Sequence, residues 1–274
     1  MFSPYYALAR RRQGAQVNPE NFCAINVALY GRGGKRWTMT ERGQKHIQRS
    51  AQHFQIGPSS LHWNGETLTI DIDEINVPLP KRVRGRITVK PEGLSTFVTS
   101  LDNEGRHRWG PIAPCSRVHV QMDDPNLDWH GHAYMDANEG DEPVEEGFKD
   151  WDWARCEMAN GDTTVVYDVR PQIGPNRIIA QRFTRSGNHT PFTAPKRHTM
   201  PASGWRIARG MCNDVNEPPT IVSTLEDTPF YARSLLRTTL LGEEVTAMHE
   251  SLDIPRLVSL PVRLMLPWRM PRRA

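Results

Sequence analysis

Short runs in which apolar and polar residues alternate recur along the chain, and clusters of turn residues separate them. The clearest run is LTIDID (Leu68–Asp73), which follows Asn64-Gly65, a pair typical of a tight hairpin turn. Similar runs are RITVK (Arg86–Lys90), RVHVQMD (Arg117–Asp123), TTVVYDV (Thr163–Val169) and NRIIAQRF (Asn176–Phe183). Because side chains alternate between the two faces of a strand, the pattern predicts an all-β fold, either an antiparallel barrel or a sandwich.

Three segments lack this clear alternation. Tyr231–Leu252 is compatible with a helix, but Leu241-Gly242 lies where a hairpin turn is expected, so we predict two strands. The stretch from Pro191 to Pro201 is predicted to be a loop. The C-terminal tail PRLVSLPVRLMLPWRMPRRA cannot form one continuous helix, because it is interrupted by Pro255, Pro261, Pro267 and Pro271.

Charge and cysteine content narrow the functional classes. The net charge of +3 on 274 residues does not require a nucleic-acid partner. The four cysteines are far apart and form no C-x-x-C pair, which predicts reduced thiols in a cytoplasmic compartment. No run approaches the roughly 18 apolar residues of a transmembrane helix. The N-terminal MFSPYYALARRRQ does not have the order of a signal peptide, and its abrupt, aromatic-rich start leads us to expect a preceding segment.

Two stretches place titratable and aromatic side chains together on one face of a predicted strand. In WHGHAYMD (Trp129–Asp136), that face holds His130, His132, Tyr134 and Asp136. In RHRW, His107 and Trp109 share one face, and the two arginines take the other. We predict that the histidines, aromatic residues and aspartate of these two faces line one pocket.

Three chemistries fit such a pocket, and the residues alone leave the choice open. His130 and His132 could ligate zinc or iron together with His107 and Asp136. Asp136 could instead act as a carboxylic acid, provided that apolar burial raises its pKa above the usual value of about 3.9. The pocket could also bind a hydrophobic ligand without reacting, as lipocalin-like carriers do.

Other catalytic motifs are weak or missing. The sequence has no G-x-S-x-G elbow for nucleophilic hydrolysis. GRGGK (Gly31–Lys35) lacks the strand–helix context and the spacing of a phosphate-binding loop. Trp151 and Trp153, in WDW, share one strand face and are predicted to line the pocket rather than to react.

Five blocks of the sequence carry a resemblance to a known family. They are FSPYYA (Phe2–Ala7), NVALYGRGGKRWTMTERG (Asn26–Gly43), RHRWGPIAPCSRV (Arg106–Val118), WHGHAYMDANEGDEPVEEGFKDWDWAR (Trp129–Arg155) and LLGEEVTAMHESLD (Leu240–Asp253). Together they resemble the carotenoid 1,2-hydratases, also called hydroxyneurosporene synthases, over nearly the whole chain. Members of that family usually carry a further N-terminal segment ahead of the FSPYY block.

The resemblance implies an all-β fold of two lipocalin-like antiparallel β-barrels. The first, over residues 1–155, is expected to carry the pocket and to be incomplete without the additional N-terminal segment. The second is expected over residues 156–274. The implied activity is that of a cofactor-independent hydro-lyase, which adds water to the terminal 1,2 double bond of acyclic carotenoids such as neurosporene and lycopene.

By motif alignment, the residues tied to activity in the family fall on His107, Trp109, Tyr134 and Asp136. Hydration of a trisubstituted alkene needs a proton on the less substituted carbon, followed by capture of the tertiary carbocation by water. We therefore expect Asp136 to donate the proton and the rings of Trp109 and Tyr134 to stabilise the cation. His107 is expected to orient Asp136 or the water. The hydrogen-bond network is expected to include His130 and His132, and no metal or cofactor is needed.

The tail suggests a membrane partner. After Asp253 the chain contains five arginines and no acid, mixed with apolar residues. Such a segment either packs on the body of the protein or contacts anionic lipid. Because a long polyene resides in the bilayer, we expect a cytoplasmic protein that associates peripherally with the membrane. Two other functions remain open, namely a non-catalytic binder of a hydrophobic ligand and a cofactor-free cyclase.

Overall fold

The computed structural model describes residues 3–31 and 35–273, and strands dominate the described chain. Phe2 of the FSPYYA block and residues 32–34 of GRGGK lie outside the described residues. The strands are β1 (Asn26–Leu29), β2 (Arg36–Met39), β3 (Glu41–Arg42), β4 (Ile47–Arg49), β5 (His53–Ile56), β6 (Ser59–Trp63), β7 (Leu68–Ile75), β8 (Arg82–Pro91), β9 (Thr99–Ser100), β10 (His107–Asp124), β11 (Leu127–Gly140), β12 (Phe148–Glu157), β13 (Thr163–Pro171), β14 (Arg177–Phe183), β15 (His189–Pro191), β16 (Arg197–Met200), β17 (Arg209–Cys212), β18 (Thr220–Asp227), β19 (Tyr231–Leu240), β20 (Glu243–Asp253) and β21 (Arg272–Arg273). The α-helices are α1 (Pro4–Gln13), α2 (Val144–Gly147), α3 (Ile254–Leu257) and α4 (Leu260–Arg269), and short 3-10 helices cover Gly14–Gln16, Pro19–Phe22 and Gln44–His46.

The alternating runs form strands where the sequence predicts them. LTIDID lies in β7, and the turn before it begins at Asn64, whose side chain accepts hydrogen bonds from the backbone N–H groups of Glu66 and Thr67 at 2.9 and 2.8 Å. The predicted pair of strands between Tyr231 and Leu252 is confirmed as the β19–β20 hairpin. Its turn residues Leu241 and Gly242 both have positive φ, at 53° and 79°. This geometry explains the glycine, because a left-handed backbone is costly for residues with a Cβ.

The loop prediction between Pro191 and Pro201 is wrong in part. Arg197–Met200 forms β16 and pairs antiparallel with β17. The pairing strand follows only after an intervening loop, so no local turn pair marks a hairpin. The tail prediction is confirmed, because the tail forms the two helices α3 and α4, although Pro267 lies inside α4. None of the helices in the described part of the chain has both the length and the apolar character needed to cross a bilayer.

The chain divides into two compact units. The first comprises Met1–Pro91, Arg117–Ala133 and Arg263–Ala274, and the second comprises Glu92–Ser116 and Tyr134–Val262. Both units are discontinuous, since the long strands β10 and β11 have residues in each. This division by compactness does not coincide with the predicted boundary between residues 155 and 156. The all-β class is confirmed, whereas the pair of lipocalin-like barrels stays a prediction.

The first unit is built on antiparallel pairs from β4 to β8. Its apolar core is formed by Val27, Ile72, Val83, Val89, Val118, Val120 and Met122. A buried ion pair lies beside this core, in which Arg42 donates two hydrogen bonds to Glu74 at 2.8 and 2.9 Å. A buried guanidinium needs such a partner, because an unpaired buried charge is strongly destabilising.

The second unit is built on a seven-stranded sheet with the strand order β15-β14-β13-β12-β20-β19-β18. One face of this sheet packs against the β16–β17 hairpin, and the shared core includes Ala154, Val166, Leu236, Met200 and Met211. Because side chains alternate along each strand, residues on either side of Ala154 in β12 point to the opposite face. That opposite face carries the candidate site.

Candidate active site

An aromatic wall is formed on the second face of the seven-stranded sheet. Trp153 in β12 lies directly opposite Tyr167 in β13 and Glu250 in β20. Opposed residues of antiparallel strands share one face, so these three side chains are neighbours. The ring of Tyr134 packs on Trp153 with a centroid separation of 5.5 Å, and Trp109 meets Tyr167 edge-on at 5.5 Å. Residues from β10 and β11 therefore cover the wall formed by the sheet.

Asp136 lies among these rings and receives two hydrogen bonds on one oxygen. The indole N–H of Trp109 donates to Oδ2 of Asp136 at 2.7 Å, and the hydroxyl of Tyr134 donates to the same Oδ2 at 3.1 Å. The sequence predicts these three residues as partners from two strand faces, and the structure brings them together. The pKa of Tyr134 is raised well above its ordinary value, first by burial and then by Asp136, so the phenol keeps its proton and remains a donor.

Burial raises the pKa of Asp136 above its ordinary value, because the apolar surroundings disfavour the carboxylate. The hydrogen bonds from Trp109 and Tyr134 favour the carboxylate and oppose this rise. Among the nearby charges, Glu250 raises the pKa of Asp136 and Arg155 lowers it. Burial prevails, so the carboxyl group of Asp136 is a weaker acid than one on the surface.

Sequence reasoning missed several charged groups of this site. The guanidinium of Arg155 lies over the ring of Tyr134, with Cζ 5.6 Å from the centroid. Arg233 in β19 pairs with Glu250 in β20, with Nη2 2.6 Å from Oε1. A usable signal was available for Arg155, since it follows Trp153 by two residues in the WDWAR block and so shares its strand face. Glu250 and Arg233 reach the site only through strand register.

His107 bonds to residues other than Asp136. Its Nδ1 lies 2.7 Å from Oδ2 of Asp102, and its Nε2 lies 3.2 Å from the carbonyl oxygen of Glu142. Burial alone would raise the pKa of Asp102, but hydrogen bonds from the His107 side chain and from backbone N–H groups outweigh burial and lower it. A Cβ on Gly140 or Gly147 would lie 2.7 or 2.5 Å from the imidazole, so both chain segments approach the ring closely. His107 thus joins the start of β10 to the segment that follows Asp136.

The arginines of RHRW point away from Trp109, as the alternation predicts. Arg106 pairs with Glu142 at 2.5 Å. Arg108 pairs with Glu139 at 2.6 Å and with Asp141 at 3.2 Å. The acidic stretch after Asp136 therefore serves in part to bind these two arginines.

The remaining predicted residues have other neighbours. Trp151 packs edge-on against Tyr167 at 6.2 Å, on the same aromatic wall. His130 and His132 are exposed residues of the first unit. The ring of His130 stacks on His119 at 3.8 Å, and Nε2 of His132 lies 2.9 Å from Nη1 of Arg117.

These contacts give no support to the predicted metal site. His107 and Asp136 form their hydrogen bonds with residues of the second unit, whereas the other two predicted ligands, His130 and His132, belong to the first. Among the described residues, His119, Asp128 and His130 form a different group whose ligand atoms lie within 4.8 Å of one another. Nε2 of His119 lies 2.7 Å from Oδ1 of Asp128, which accounts for the closeness of that pair without an ion.

Comparison with known proteins gives one consistent result. The family model described as carotenoid hydratase CrtC matches residues 1–274. The acyclic carotenoid 1,2-hydratase of Rubrivivax gelatinosus is 56% identical over 274 residues, which cover 100% of this chain and 68% of the relative. The enzyme of the same name from Thiocapsa roseopersicina is 51% identical, over 99% of this chain and 67% of the relative. That from Cereibacter sphaeroides is 35% identical, over 100% of this chain and 95% of the relative.

Proposed function

Because this chain belongs to the carotenoid hydratase family, we propose that it is a hydro-lyase that adds water across the terminal 1,2 double bond of an acyclic carotenoid such as neurosporene or lycopene. The observation that supports the chemistry is the half-buried acid Asp136, which is hydrogen-bonded through one oxygen to Trp109 and Tyr134 and whose pKa is raised by burial. An isolated alkene is a weak base, so its protonation requires an acid held beside it in a dry site.

In the proposed first step, neutral Asp136 transfers its proton to C2 of the carotenoid, and the positive charge develops on the tertiary C1. Oδ2 of Asp136 already accepts hydrogen bonds from Trp109 and Tyr134, so the transferred proton resides on Oδ1. Both hydrogen bonds strengthen as the carboxylate forms, because charged acceptors bind donors more tightly. These preorganised donors lower the free energy of the transition state.

The aromatic wall supplies the second contribution. The faces of Trp109, Tyr134 and Trp153 attract the C1 cation through their quadrupoles, which in a desolvated site contributes about 2 kcal/mol. Water then adds to C1 and releases a proton, which restores the neutral acid. The cycle consumes only alkene and water, and the proposal includes no metal or cofactor.

His107 enters the proposal as a positioning residue. It is two residues from Trp109 on β10, and its ring is held by Asp102 and by the carbonyl group of Glu142. By joining the start of β10 to the chain after Asp136, it fixes the Trp109–Asp136 hydrogen bond. This role fits a histidine whose two ring nitrogens are bonded to groups other than Asp136.

The test is incubation of the purified chain with lycopene or neurosporene in oxygen-18 water, with added lipid and without cofactor. We expect a hydroxylated product that carries the heavy oxygen. Asp136→Asn should lower the rate by about 100-fold or more, the usual contribution of a general acid, while carotenoid still binds. Asp71→Asn, a change in an exposed ion pair of the first unit, is the control that should retain activity. Carotenoid recovered bound but unchanged would favour the non-catalytic binder, and a cyclised product without heavy oxygen would favour the cyclase.

Membrane contact is the second part of the proposal. Helix α4 exposes Leu264, Met265 and Trp268 on one side while Leu266 is buried. Residues 254–274 contain arginines and no acid, so their charge complements anionic headgroups. We propose that this face, which we call the α4 patch (Leu264, Met265 and Trp268), rests on an anionic bilayer, where the carotenoid substrate resides.

The family resemblance also motivates a finer description of fold and location. We propose that the strands build a pair of lipocalin-like barrels and that the protein works at the cytoplasmic surface of the membrane. Alternating strands with antiparallel neighbours support the first idea, and four free cysteines support the second.

A further inference from the structure

Hydration needs a water molecule held beside C1, and the acid alone does not supply that site. A water in an aromatic pocket is stable only where two or more polar groups bind it. Oδ2 of Asp136 is occupied by two donors, and its Oδ1 carries the proton for C2. The groups that hold the water must therefore be found elsewhere on the aromatic wall.

Trp153 offers a donor. Its Nε1 is buried and has no hydrogen-bond partner within residues 3–31 and 35–273. Buried indole N–H groups usually have an acceptor, and leaving one unpaired costs free energy. The same ring packs on Tyr134, whose hydroxyl binds Asp136, so the unpaired N–H belongs to the wall next to the acid.

Glu250 offers an acceptor. It lies directly opposite Trp153 across the β12–β20 pair, where side chains on one face are in contact. Arg233 holds it in place through Oε1 at 2.6 Å, and a carboxylate has lone pairs for further hydrogen bonds. The register places Glu250 and Tyr167 on either side of Trp153 on one sheet face. In keeping with this, the charge of Glu250 raises the pKa of both Asp136 and Tyr167.

We propose that Trp153 and Glu250 hold the water that adds to the carotenoid, with the indole N–H donating to the water oxygen and the carboxylate accepting one of its hydrogens. This proposal rests on the proposed function. When C1 becomes cationic, the C1–O bond forms, one O–H bond of the water breaks, and the proton passes to Glu250. Transfer of that proton from Glu250 to the Asp136 carboxylate restores both groups, so the net reaction is alkene plus water to tertiary alcohol.

The proposal has a measurable consequence, because the carbocation can react in two ways. A cation that captures water becomes the alcohol, and one that does not loses a proton and returns to an alkene. In D2O the acid delivers deuterium to C2, so each failed capture can leave deuterium in the recovered carotenoid. The ratio of deuterium exchange to hydration therefore reports water capture separately from protonation.

The experiment measures this ratio in D2O by mass spectrometry for the wild-type chain, Trp153→Phe and Glu250→Gln. Trp153→Phe keeps an aromatic ring on the wall but removes the N–H donor together with the five-membered ring of the indole. Glu250→Gln keeps the shape of the side chain and removes the base. We expect the exchange-to-hydration ratio to rise about tenfold in each, the effect of one lost hydrogen bond. Glu250→Asp retains the charge opposite Arg233 but moves the carboxylate away from the water, so it should also raise the ratio. This variant replaces Glu250→Gln in the test if the glutamine variant fails to fold.

Glu244→Gln is the matched control, because Glu244 is an exposed residue of the same strand β20. It should keep the wild-type ratio. If Trp153→Phe and the Glu250 variants lower hydration and exchange together, with the ratio unchanged, the water-binding assignment is overturned. Asp136→Asn tests the proposed function separately, since it should lower both exchange and hydration by about 100-fold or more. A variant that hydrates at the wild-type rate would remove Asp136 as the proton donor whatever the ratios show.

Discussion

The acid strength of Asp136 reflects opposing effects of its neighbours. Burial and the charge of Glu250 raise its pKa, and the hydrogen bonds from Trp109 and Tyr134 lower it. The raised pKa extends the pH range over which the carboxyl group stays protonated, while the two hydrogen bonds oppose that rise. In the proposed mechanism, activity depends on this balance, and single substitutions should shift the pKa in a direction that follows from the contact removed.

Tyr134→Phe should move the alkaline limb of the pH–rate profile to higher pH. In the proposed mechanism the protonated acid is the active form, so the rate should fall as pH rises through the pKa of Asp136. Removing a donor to its carboxylate should raise that pKa further. The plateau rate should fall about tenfold, because a hydrogen bond that strengthens in the transition state is lost. The measurement is kcat/KM against pH, with Tyr6→Phe in α1 as the matched control. A limb displaced to lower pH would contradict this account.

At the level of single residues, the sequence correctly predicts Trp109, Tyr134 and Asp136 as neighbours. It does so because strand alternation places them on two strand faces that can meet. The same alternation groups His130 and His132 with Asp136, but the histidines belong to the first compact unit and Asp136 to the second. Glu250 could not be found in this way, since its place beside Trp153 depends on pairing between strands nearly a hundred residues apart.

Strand β12 serves two purposes through its two faces. Trp151, Trp153 and Arg155 face the site, whereas the alternate residue Asp152 is buried on the other face. Asp152 accepts hydrogen bonds from Nη2 of Arg170 at 2.9 Å, from Nη2 of Arg197 at 2.8 Å and from the backbone N–H of Gly210 in β17 at 3.2 Å. One carboxylate thereby ties the β16–β17 hairpin to the sheet that carries the aromatic wall.

Asp152→Asn should destabilise the fold by about 2 kcal/mol, since it removes a buried carboxylate that accepts charge-assisted hydrogen bonds from Arg170 and Arg197. The loss is moderated because Asp168 still pairs with both arginines. Asp71→Asn makes the same change in an ion pair with Arg86, where both side chains are about half exposed, and should cost less than about 1 kcal/mol. Urea unfolding followed by far-UV circular dichroism measures both. Equal losses in the two variants would show that burial does not govern these pairs.

Elements with strict alternation or a clear turn pair could be predicted from the sequence, as β7 and the β19–β20 hairpin show. Strand β16 could not, because its burial arises from a partner strand supplied after a long loop. Helix α1 was hidden among aromatic residues, although Ser3 caps it by accepting a hydrogen bond from the backbone N–H of Tyr6 at 2.9 Å and Pro4 occupies its first position.

For the whole molecule, the proposed membrane contact depends on the α4 patch. Leu264 and Trp268 are 61% and 72% exposed, a costly arrangement in water unless another surface covers them. Arg263 and Arg269 lie on the same helix, so the apolar patch is accompanied by positive charge. A bilayer with anionic headgroups satisfies both features.

Leu264→Ser and Trp268→Ser should weaken flotation with anionic liposomes about tenfold each, and binding of the wild-type chain should fall with salt. Leu79→Ser is the matched control, because Leu79 is 70% exposed in the first unit but lies outside the tail. Activity on detergent-dispersed carotenoid should persist in the tail variants. Unchanged flotation would remove the patch from the membrane contact, and a concentration-dependent dimer lost in these variants would assign it to a second copy of the chain.

The two hydrogen bonds on Oδ2 of Asp136 also have a stereochemical consequence. In the proposed mechanism, Trp109 and Tyr134 fix that oxygen, so the acidic hydrogen on Oδ1 should point in one direction. A carotenoid end held against the aromatic wall then receives its new hydrogen on a single face of the double bond. In D2O, C2 of each product molecule becomes a CHD centre of one configuration, although the alcohol carbon itself, with its two methyl groups, is not chiral.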